Sequence, residues 1–128
     1  MSSLSFSPRI PVIDANVCVG NHYTEPSPCQ SQAQLIDEMG YHGIDRAVIY
    51  HAQTEEISPT DGNRLLDDWL DEGGRLIPQW SVTPTTDSLT QIQAMHHEGR
   101  VRSVRLHNAQ SAGLPFRSWG YDNLLSWL

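Results

Sequence analysis

The sequence repeats one pattern four times, in which a short apolar run is followed by an amphipathic helical pattern. The apolar runs occupy residues 10–19, 45–51, 75–82 and 101–107. Three of them are rich in Val and Ile, as is typical of strands buried on both faces, whereas Pro78 weakens the third. Strands and helices that alternate about every 25 to 35 residues form βα units with parallel strands. The sequence therefore predicts an α/β fold of four βα units, within a single domain over residues 1–128.

Capping residues and glycines locate the four helices that follow these runs. The predicted starts are Ser31 with Gln34 as a capping box, Ser58 with Pro59, Thr86 or Asp87, and Tyr121 with Asp122. The predicted ends are Gly40, Gly73 with Gly74, and Gly99. The residues predicted to face the core are Leu35, Ile36, Met39, Leu65, Leu66, Trp69, Leu70, Leu89, Ile92, Met95, Leu124, Leu125, Trp127 and Leu128.

Composition argues against several classes of partner. The formal net charge is −7, and all eight basic residues are Arg, which disfavours nucleic acid or an anionic membrane surface as a partner. No apolar run is long enough to span a bilayer, and the N-terminal residues lack the pattern of a signal peptide. The two cysteines, Cys18 and Cys29, do not make a disulfide framework. These features predict a cytoplasmic protein with reduced thiols.

Ligands of parallel α/β folds bind at the carboxyl ends of the strands, so polar residues there are candidates for a site. The candidates are Asp14, Asn16, Cys18, His51, Trp80, Thr83, Arg105, His107 and Asn108. Asn16 and Cys18 lie two residues apart, so both point to the same side of the first strand. Arg105 and His107 share a side of the fourth strand by the same reasoning. We therefore expect a thiol, an amide, two imidazoles and a guanidinium close together at the carboxyl ends of the strands.

Each of these residues also has a structural interpretation. A strand cysteine such as Cys18 is often a small hydrophobic residue, Asn16 can hold a loop, and His51 can cap the sheet with its hydrogen bonds satisfied. Arg105 is harder to explain in this way, because a buried guanidinium needs an anionic partner. His22 is expected at the surface. The sequence contains no His-x-His, HExxH or CxxC metal motif, no phosphate-binding glycine loop and no G-x-S-x-G elbow.

Four segments together resemble the amidohydrolase-related TIM-barrel hydrolases. Residues 12–20 are similar to the family's first strand, which typically reads I-D-x-H-x-H-x-G. Residues 39–49 resemble its G-[IV]-D-[RK]-A-V second strand, residues 75–84 its third strand with a T-P turn, and residues 101–107 its fourth strand. The resemblance covers nearly the whole chain but only about the first half of a family member. It implies that the four βα units are the first half of a TIM (β/α)8 barrel, and that residues 1–128 are a partial domain.

The resemblance also implies a metal site with an altered first strand. The family's two metal-binding histidines fall on Asn16 and Cys18. An amide is a poor ligand for a transition metal, whereas a thiolate binds zinc well. The family's other ligands lie on later strands, beyond residue 128. Asn16 and Cys18 are therefore degenerate metal positions, and zinc is a cofactor implied by the resemblance alone.

One branch of this family, similar to 2-pyrone-4,6-dicarboxylate lactonases, works without a required metal and holds substrate carboxylates with arginines. Arg105 matches one of those arginines, and Arg recognises carboxylates through a bidentate fork. The resemblance thus implies a hydrolase for a small carboxylated lactone, amide or acid. Arg105, Trp80 and Asn108 are expected to bind the substrate. His107 and His51 are expected to position or polarise the scissile group, with an Asp from the missing half as general base.

Other interpretations remain open at this stage. The chain can be a non-catalytic module that binds a ligand, or a half-barrel that pairs with a second copy to close eight strands. Four βα units can also form a small open doubly wound sheet. The chain ends at Leu128 within an amphipathic pattern, which predicts that another chain covers this face or that the native product is longer. We therefore expect a homo-oligomer or a missing C-terminal half.

Overall fold

A computed structural model describes residues 7–106 and 118–128, with the side chains of residues 118–120 left aside. The strands are β1 (Ile13–Val19), β2 (Arg46–His51), β3 (Leu76–Pro78), β4 (Trp80–Val82) and β5 (Val104–Leu106). The helices are α1 (Gln32–Tyr41), α2 (Gln53–Glu56), α3 (Pro59–Leu66), α4 (Thr86–His97) and α5 (Ser118–Trp127). A single 3-10 turn over Asp67–Trp69 extends α3. None of the described helices is long and apolar enough to cross a membrane.

The described strands form two small parallel sheets, one in the order β1-β2-β3 and one that pairs β4 with β5. This confirms the prediction of an α/β fold with parallel strands. The described strands do not close into a barrel, so the half-barrel remains an expectation. Strand neighbours follow chain order within each sheet, without the reversal that marks a doubly wound sheet.

The predicted third strand, residues 75–82, is divided in two at Gln79, which is a correction to the sequence analysis. The Pro78 nitrogen lies on the edge of the strand that faces away from β2 and has no N–H to donate there, and pairing with β5 on that edge begins only at Trp80. The Gln79 N–H still donates to the carbonyl of Ile49 over 2.9 Å, which keeps the two sheets adjacent. Beyond this point Asn63 of α3 replaces a neighbouring strand. Its amide accepts from the Ser81 N–H (2.9 Å) and donates to the Ser81 carbonyl (2.8 Å).

The core lies between the helices and one face of the strands. In β2 the burial alternates, with Ala47, Ile49 and His51 buried and Tyr50 only partly buried. The buried apolar residues are Val19, Leu35, Met39, Ala47, Ile49, Leu66, Trp69, Leu76, Trp80, Val82, Ile92, Met95, Tyr121 and Leu124. Because side chains alternate across a strand, Cys18 and Tyr50 point to the face opposite Val19 and Ile49. The sheet therefore presents a second, more polar face.

Local chemistry explains most helix boundaries. The Ser31 hydroxyl accepts the Gln34 N–H, and the Ser58 hydroxyl accepts the Asp61 N–H, so both predicted starts are confirmed. The cap of α4 is Thr85, one residue before the predicted Thr86. The other boundary corrections are that Gly40 lies inside α1, that α3 reaches only Leu66 before the 3-10 turn, and that α5 starts at Ser118.

Two features of the region after β2 were absent from the sequence analysis. Leu65 was expected to face the core, but 41% of it is exposed, whereas Trp69 in the 3-10 turn is buried as expected. The four-residue α2 was not predicted. It packs so closely on α3 that a Cβ at Gly62 would lie 2.4 Å from the backbone nitrogen of Thr54. This close approach fixes α2, which carries Glu55 and Glu56, beside the end of β2.

Candidate functional site

Arg105, Asn16, Tyr50 and Glu55 form a group that we term the arginine cluster. Arg105 Nη1 donates to Asn16 Oδ1 over 3.0 Å, and its guanidinium carbon lies 3.9 Å from the centre of the Tyr50 ring. Glu55 Oε1 is 3.9 Å from Arg105 Nη2, which is a long ion pair. The cluster joins β1, β2 and β5 on the polar face and is therefore built by residues far apart in the chain.

Strand register shows which residues lie beside these side chains on the neighbouring strands. Cys18 is the register partner of Tyr50 in the β1–β2 pair, and Ser81 is the partner of Arg105 in the β4–β5 pair. Asn16 lies where the β1–β2 register shifts between Asp14 and Val17. An irregularity of this kind re-aims a side chain. Here the Asn16 amide meets the guanidinium of Arg105.

A second group, the thiol cluster, consists of Cys18, His22 and Glu56. Cys18 Sγ lies 3.6 Å from His22 Nε2, and His22 Nδ1 lies 3.1 Å from Glu56 Oε1. The Glu56 carboxylate also accepts the Tyr23 N–H at 2.9 and 3.0 Å. Thiol, imidazole and carboxylate thus stand in series, with the two ring nitrogens of His22 facing different partners.

A tight turn after β1 brings His22 back onto Cys18. Gly20 has a φ of +80°, and a Cβ there would lie 2.4 Å from the His51 ring, so this position requires glycine. The following loop is held by Asn21, whose side chain accepts the Ser27 N–H over 2.8 Å and whose carbonyl accepts from Gln53 over 2.7 Å. These contacts tie the loop to α2, where Glu56 lies.

Burial raises the pKa of two neighbouring groups, the Cys18 thiol and the Tyr50 hydroxyl. Burial raises the pKa of the Cys18 thiol, with Glu55 and Glu56 adding to the rise and with the Tyr50 hydroxyl and Arg105 opposing it. Burial, with the adjacent Cys18, raises the pKa of Tyr50 to about 12. At neutral pH both groups therefore carry their protons, and the Tyr50 hydroxyl remains a hydrogen-bond donor beside the thiol.

His51 lies on the other face of β2, away from the thiol cluster. It is buried, its ring packs on Gly20, and its Nδ1 accepts the Gln53 N–H over 3.1 Å. Burial lowers the pKa of His51, although the charge of Asp68 acts in the opposite direction. These contacts are those of a histidine that closes the end of the sheet. The catalytic role predicted for His51 stays a prediction without a supporting contact.

The other predicted substrate-binding residues do not join the clusters. Trp80 is fully buried in the core, where its indole N–H donates to the Arg100 carbonyl over 3.1 Å, so it offers no exposed surface to a ligand. His107 and Asn108 lie outside the described residues, and their roles stay predictions. Of the predicted site, the structure brings together Asn16, Cys18 and Arg105.

The described residues do not fit a zinc ion at Asn16 and Cys18. The Asn16 amide oxygen already accepts from the cationic guanidinium of Arg105, which disfavours a second cation at that atom. Within the described parts of the chain, no three His, Cys, Asp or Glu side chains are grouped as metal ligands. Zinc at this site therefore stays an implication of the resemblance alone.

Sequence reasoning missed four residues of the two clusters: His22, Tyr50, Glu55 and Glu56. His22 was expected at the surface, and its side chain is indeed 38% exposed, but it contacts both Cys18 and Glu56. One local signal was present, since His22 follows Cys18 by four residues across a Gly20 turn. Tyr50 was hidden by its position within an apolar run. Glu55 and Glu56 belong to the helix that was not predicted.

Comparison with known proteins gives no further evidence on the role of these residues. Neither protein-family models, nor curated proteins, nor solved structures give a match to the chain.

Proposed function

We propose that the chain forms the first half of a TIM barrel and is an amidohydrolase-like hydrolase that binds a small carboxylated lactone, amide or acid at the carboxyl ends of its strands. The observation that carries this proposal is the placement of Arg105. Its guanidinium is held by Asn16 and by the Tyr50 ring, while its side chain keeps 32% exposure. Within the described residues, it makes one hydrogen bond and one long ion pair. A guanidinium has five N–H donors, so most of its donor capacity is free for a ligand in this arrangement.

The chemistry of this guanidinium favours a carboxylate ligand. Arg binds carboxylates through two parallel N–H bonds, and such charge-assisted bonds are stronger than neutral ones. Asn16 accepts a hydrogen bond from one edge of the guanidinium, and the Tyr50 ring supports the guanidinium plane through a cation–π contact. Glu55 is the internal competitor for the same charge, but its 3.9 Å separation and 40% exposure make it a weak one.

The strand order supports the half-barrel part of the proposal. Strands that follow one another in chain order, all parallel, are what the first four units of a TIM barrel require. In such a barrel the site lies at the carboxyl ends of the strands, where Cys18, Tyr50 and Arg105 are found. From composition we also propose a cytoplasmic setting, in which Cys18 and Cys29 are reduced thiols.

A pair of esters tests this proposal. The probes are 4-acetoxybenzoate and its methyl ester, which differ in one charge. We expect the purified chain to hydrolyse the carboxylate with the larger kcat/KM. Arg105→Gln is expected to lower that value about 10- to 100-fold, because a hydrogen bond to a charged group is worth about 1.5 to 3 kcal/mol. The methyl ester should lose little.

The control is Arg64→Gln, which removes an arginine whose side chain is 71% exposed on α3. It should leave both substrates unchanged. Equal turnover of the two esters by the unmodified chain, or an equal loss of both in Arg105→Gln, would contradict carboxylate recognition.

The second candidate function is a non-catalytic module that binds a carboxylate and assembles through its sheet edges. Within the described residues, β1 pairs only with β2, and β5 pairs only with β4. Two parallel edges therefore remain for pairing with a second copy. This candidate predicts binding of 4-hydroxybenzoate by calorimetry without ester turnover, together with a dimer in light scattering. A monomer at high micromolar concentration would exclude the assembly.

A further inference from the structure

We propose that Cys18 is the nucleophile of the chain's hydrolytic reaction, with His22 as its general base and Glu56 as the residue that positions His22. The proposal rests on the proposed function, since it names the reacting groups of that same site. It assigns the reaction to side chains that this chain itself provides, in place of the water-activating Asp that the resemblance implies.

The geometry that supports this assignment is a relay of three groups in series. His22 Nε2 lies 3.6 Å from Cys18 Sγ, within the range of a hydrogen bond to sulfur. Glu56 Oε1 lies 3.1 Å from Nδ1 on the opposite side of the ring. A carboxylate at Nδ1 holds the proton there and leaves Nε2 as the acceptor that faces the thiol. This is the order of roles that an activated nucleophile requires.

The surroundings of the relay favour a reactive role over a purely structural one. Glu56 is fixed by the Tyr23 N–H, and its side chain is only 19% exposed. Cys18 is partly buried rather than packed in the core, and the arginine cluster lies on the same face of the sheet. A substrate carboxylate at Arg105 would therefore place the rest of the molecule next to the thiol.

Protonation of the thiol explains why a base is needed. Burial and the acids of α2 raise the pKa of Cys18, so the resting group is a thiol and not a preformed thiolate. Attack therefore requires removal of the proton during the reaction. His22 Nε2 is the ring nitrogen positioned to accept it.

The reaction proceeds in two balanced steps. In the first, Cys18 Sγ attacks the acyl carbon while its proton passes to His22 Nε2. The bond to the leaving oxygen or nitrogen breaks, and His22 returns the proton to that leaving group, which gives a thioester. In the second, water attacks the thioester with His22 as base, and the thiol is restored with release of the acid. The Tyr50 hydroxyl beside Sγ can donate to the developing oxyanion, since it keeps its proton.

The primary test is to trap the thioester. The chain is mixed with 4-acetoxybenzoate, quenched in acid and digested, and the peptides are analysed by mass spectrometry. We expect acetylation of Cys18 and not of Cys29. Cys18→Ala should abolish both the adduct and turnover, while Cys29→Ala should retain them. Acetylation confined to other residues, or full turnover by Cys18→Ala, would overturn the proposal.

A labelling measurement on the unmodified chain guards against a variant that fails to fold. Iodoacetamide should alkylate Cys18 faster than Cys29, and His22→Asn should remove that difference. The same variant should lower kcat about 100-fold or more, the usual contribution of a general base. His42→Asn, at an exposed ion pair with Glu38, is the matched histidine control and should change neither measurement. Equal alkylation rates of the two cysteines in the unmodified chain would contradict the role of His22.

The positioning role of Glu56 has to be tested with a measurement that a purely structural role would not change. The 15N shifts of the His22 ring report its tautomer, and we expect the proton on Nδ1 in the unmodified chain. Glu56→Gln should shift the tautomer balance and lower kcat with little change in KM, and Glu56→Asp should restore part of both. An unchanged ring spectrum in a folded Glu56→Gln would overturn the positioning role.

The tests separate this proposal from the proposed function. Acetylation of Cys18 at equal rates by 4-acetoxybenzoate and its methyl ester would support the nucleophile and contradict carboxylate recognition. A preference for the carboxylate that persists in Cys18→Ala would support recognition by Arg105 and contradict the nucleophile.

Discussion

Arg105 and Asn16, which are 89 residues apart in the chain, share a hydrogen bond of 3.0 Å from the guanidinium to the amide oxygen. The bond links β5 to β1, the last and first of the described strands. A neutral amide orients the guanidinium without cancelling its charge. The positive charge of Arg105 thus remains available to a ligand, which is the property on which the proposed function depends.

Replacing the amide with a carboxylate tests this relationship. Asn16→Asp is expected to strengthen the contact with Arg105 but to weaken binding of 4-hydroxybenzoate about tenfold, because the added anion competes for the same cation. Titration calorimetry measures the affinity. Asn16→Ser, which keeps an oxygen acceptor without a charge, should bind more tightly than Asn16→Asp. The same affinity in both variants would show that Arg105 does not contact the ligand.

Removing the charge of Glu55 should have the opposite effect on the affinity for 4-hydroxybenzoate. Its carboxylate lies 3.9 Å from Arg105 Nη2, so Glu55→Gln removes a competitor and should tighten binding of 4-hydroxybenzoate about two- to fivefold at low salt. The gain should shrink as ionic strength rises, because both groups are partly exposed. Glu38→Gln, an exposed acid on α1, is the control. Weaker binding in Glu55→Gln would indicate that Glu55 itself contacts the ligand.

Asn63 should contribute strongly to stability, because its amide takes the place of a strand partner for Ser81. It is 1% exposed, and its nitrogen also donates to Gln91 over 3.0 Å. Asn63→Leu leaves the Ser81 N–H and carbonyl without this partner, and we expect a loss of about 2 to 4 kcal/mol in the free energy of unfolding. Urea titration measures it. Asn123→Leu, at an exposed position of α5, should cost far less; a similar cost would contradict this role.

Local patterns predicted the parallel α/β fold because its signals are short-range. The hydroxyls of Ser31 and Ser58 cap helices through bonds within three residues, so their effect is readable from sequence. The break at Gln79 was not predicted, although Pro78 was seen to weaken the strand. The break also depends on Asn63, a helix residue 18 positions before Ser81 that forms hydrogen bonds with the Ser81 backbone in place of a strand.

The residues of the candidate site were predicted only where alternation along a strand decides to which face of the sheet a side chain points. Asn16, Cys18 and Arg105 followed from their positions near strand ends. The same rule places His51 on the core face of β2, where it is buried, whereas it had been assigned to the site by its terminal position alone. His22 and Glu56 meet because a glycine turn and an unpredicted helix approach each other. That contact has no short-range signal in the sequence.

The burial of His51 gives the chain a pH-dependent stability with a defined sign. Burial lowers the pKa of this imidazole below its usual value of about 6.5, so the unfolded chain binds a proton more readily than the folded chain. The contribution of His51 is therefore fully present above about pH 6.5 and is lost as the pH falls towards the folded-state pKa. Comparison with a variant that lacks the imidazole isolates this titration from that of other groups. The relevant quantity is thus the difference between the unmodified chain and His51→Gln in the free energy of unfolding, measured at about pH 8 and pH 5.5.

We expect the advantage of the unmodified chain over His51→Gln to shrink at the lower pH. The Gln side chain retains an oxygen that can accept the Gln53 N–H, so that the comparison isolates the titration of the ring. His97→Gln, at an exposed position on α4, is the control for replacement of a histidine outside the core. An advantage that grows on acidification would mean that the folded chain binds the proton more tightly. In that case the charge of Asp68 would outweigh burial, and His51 would be cationic when folded.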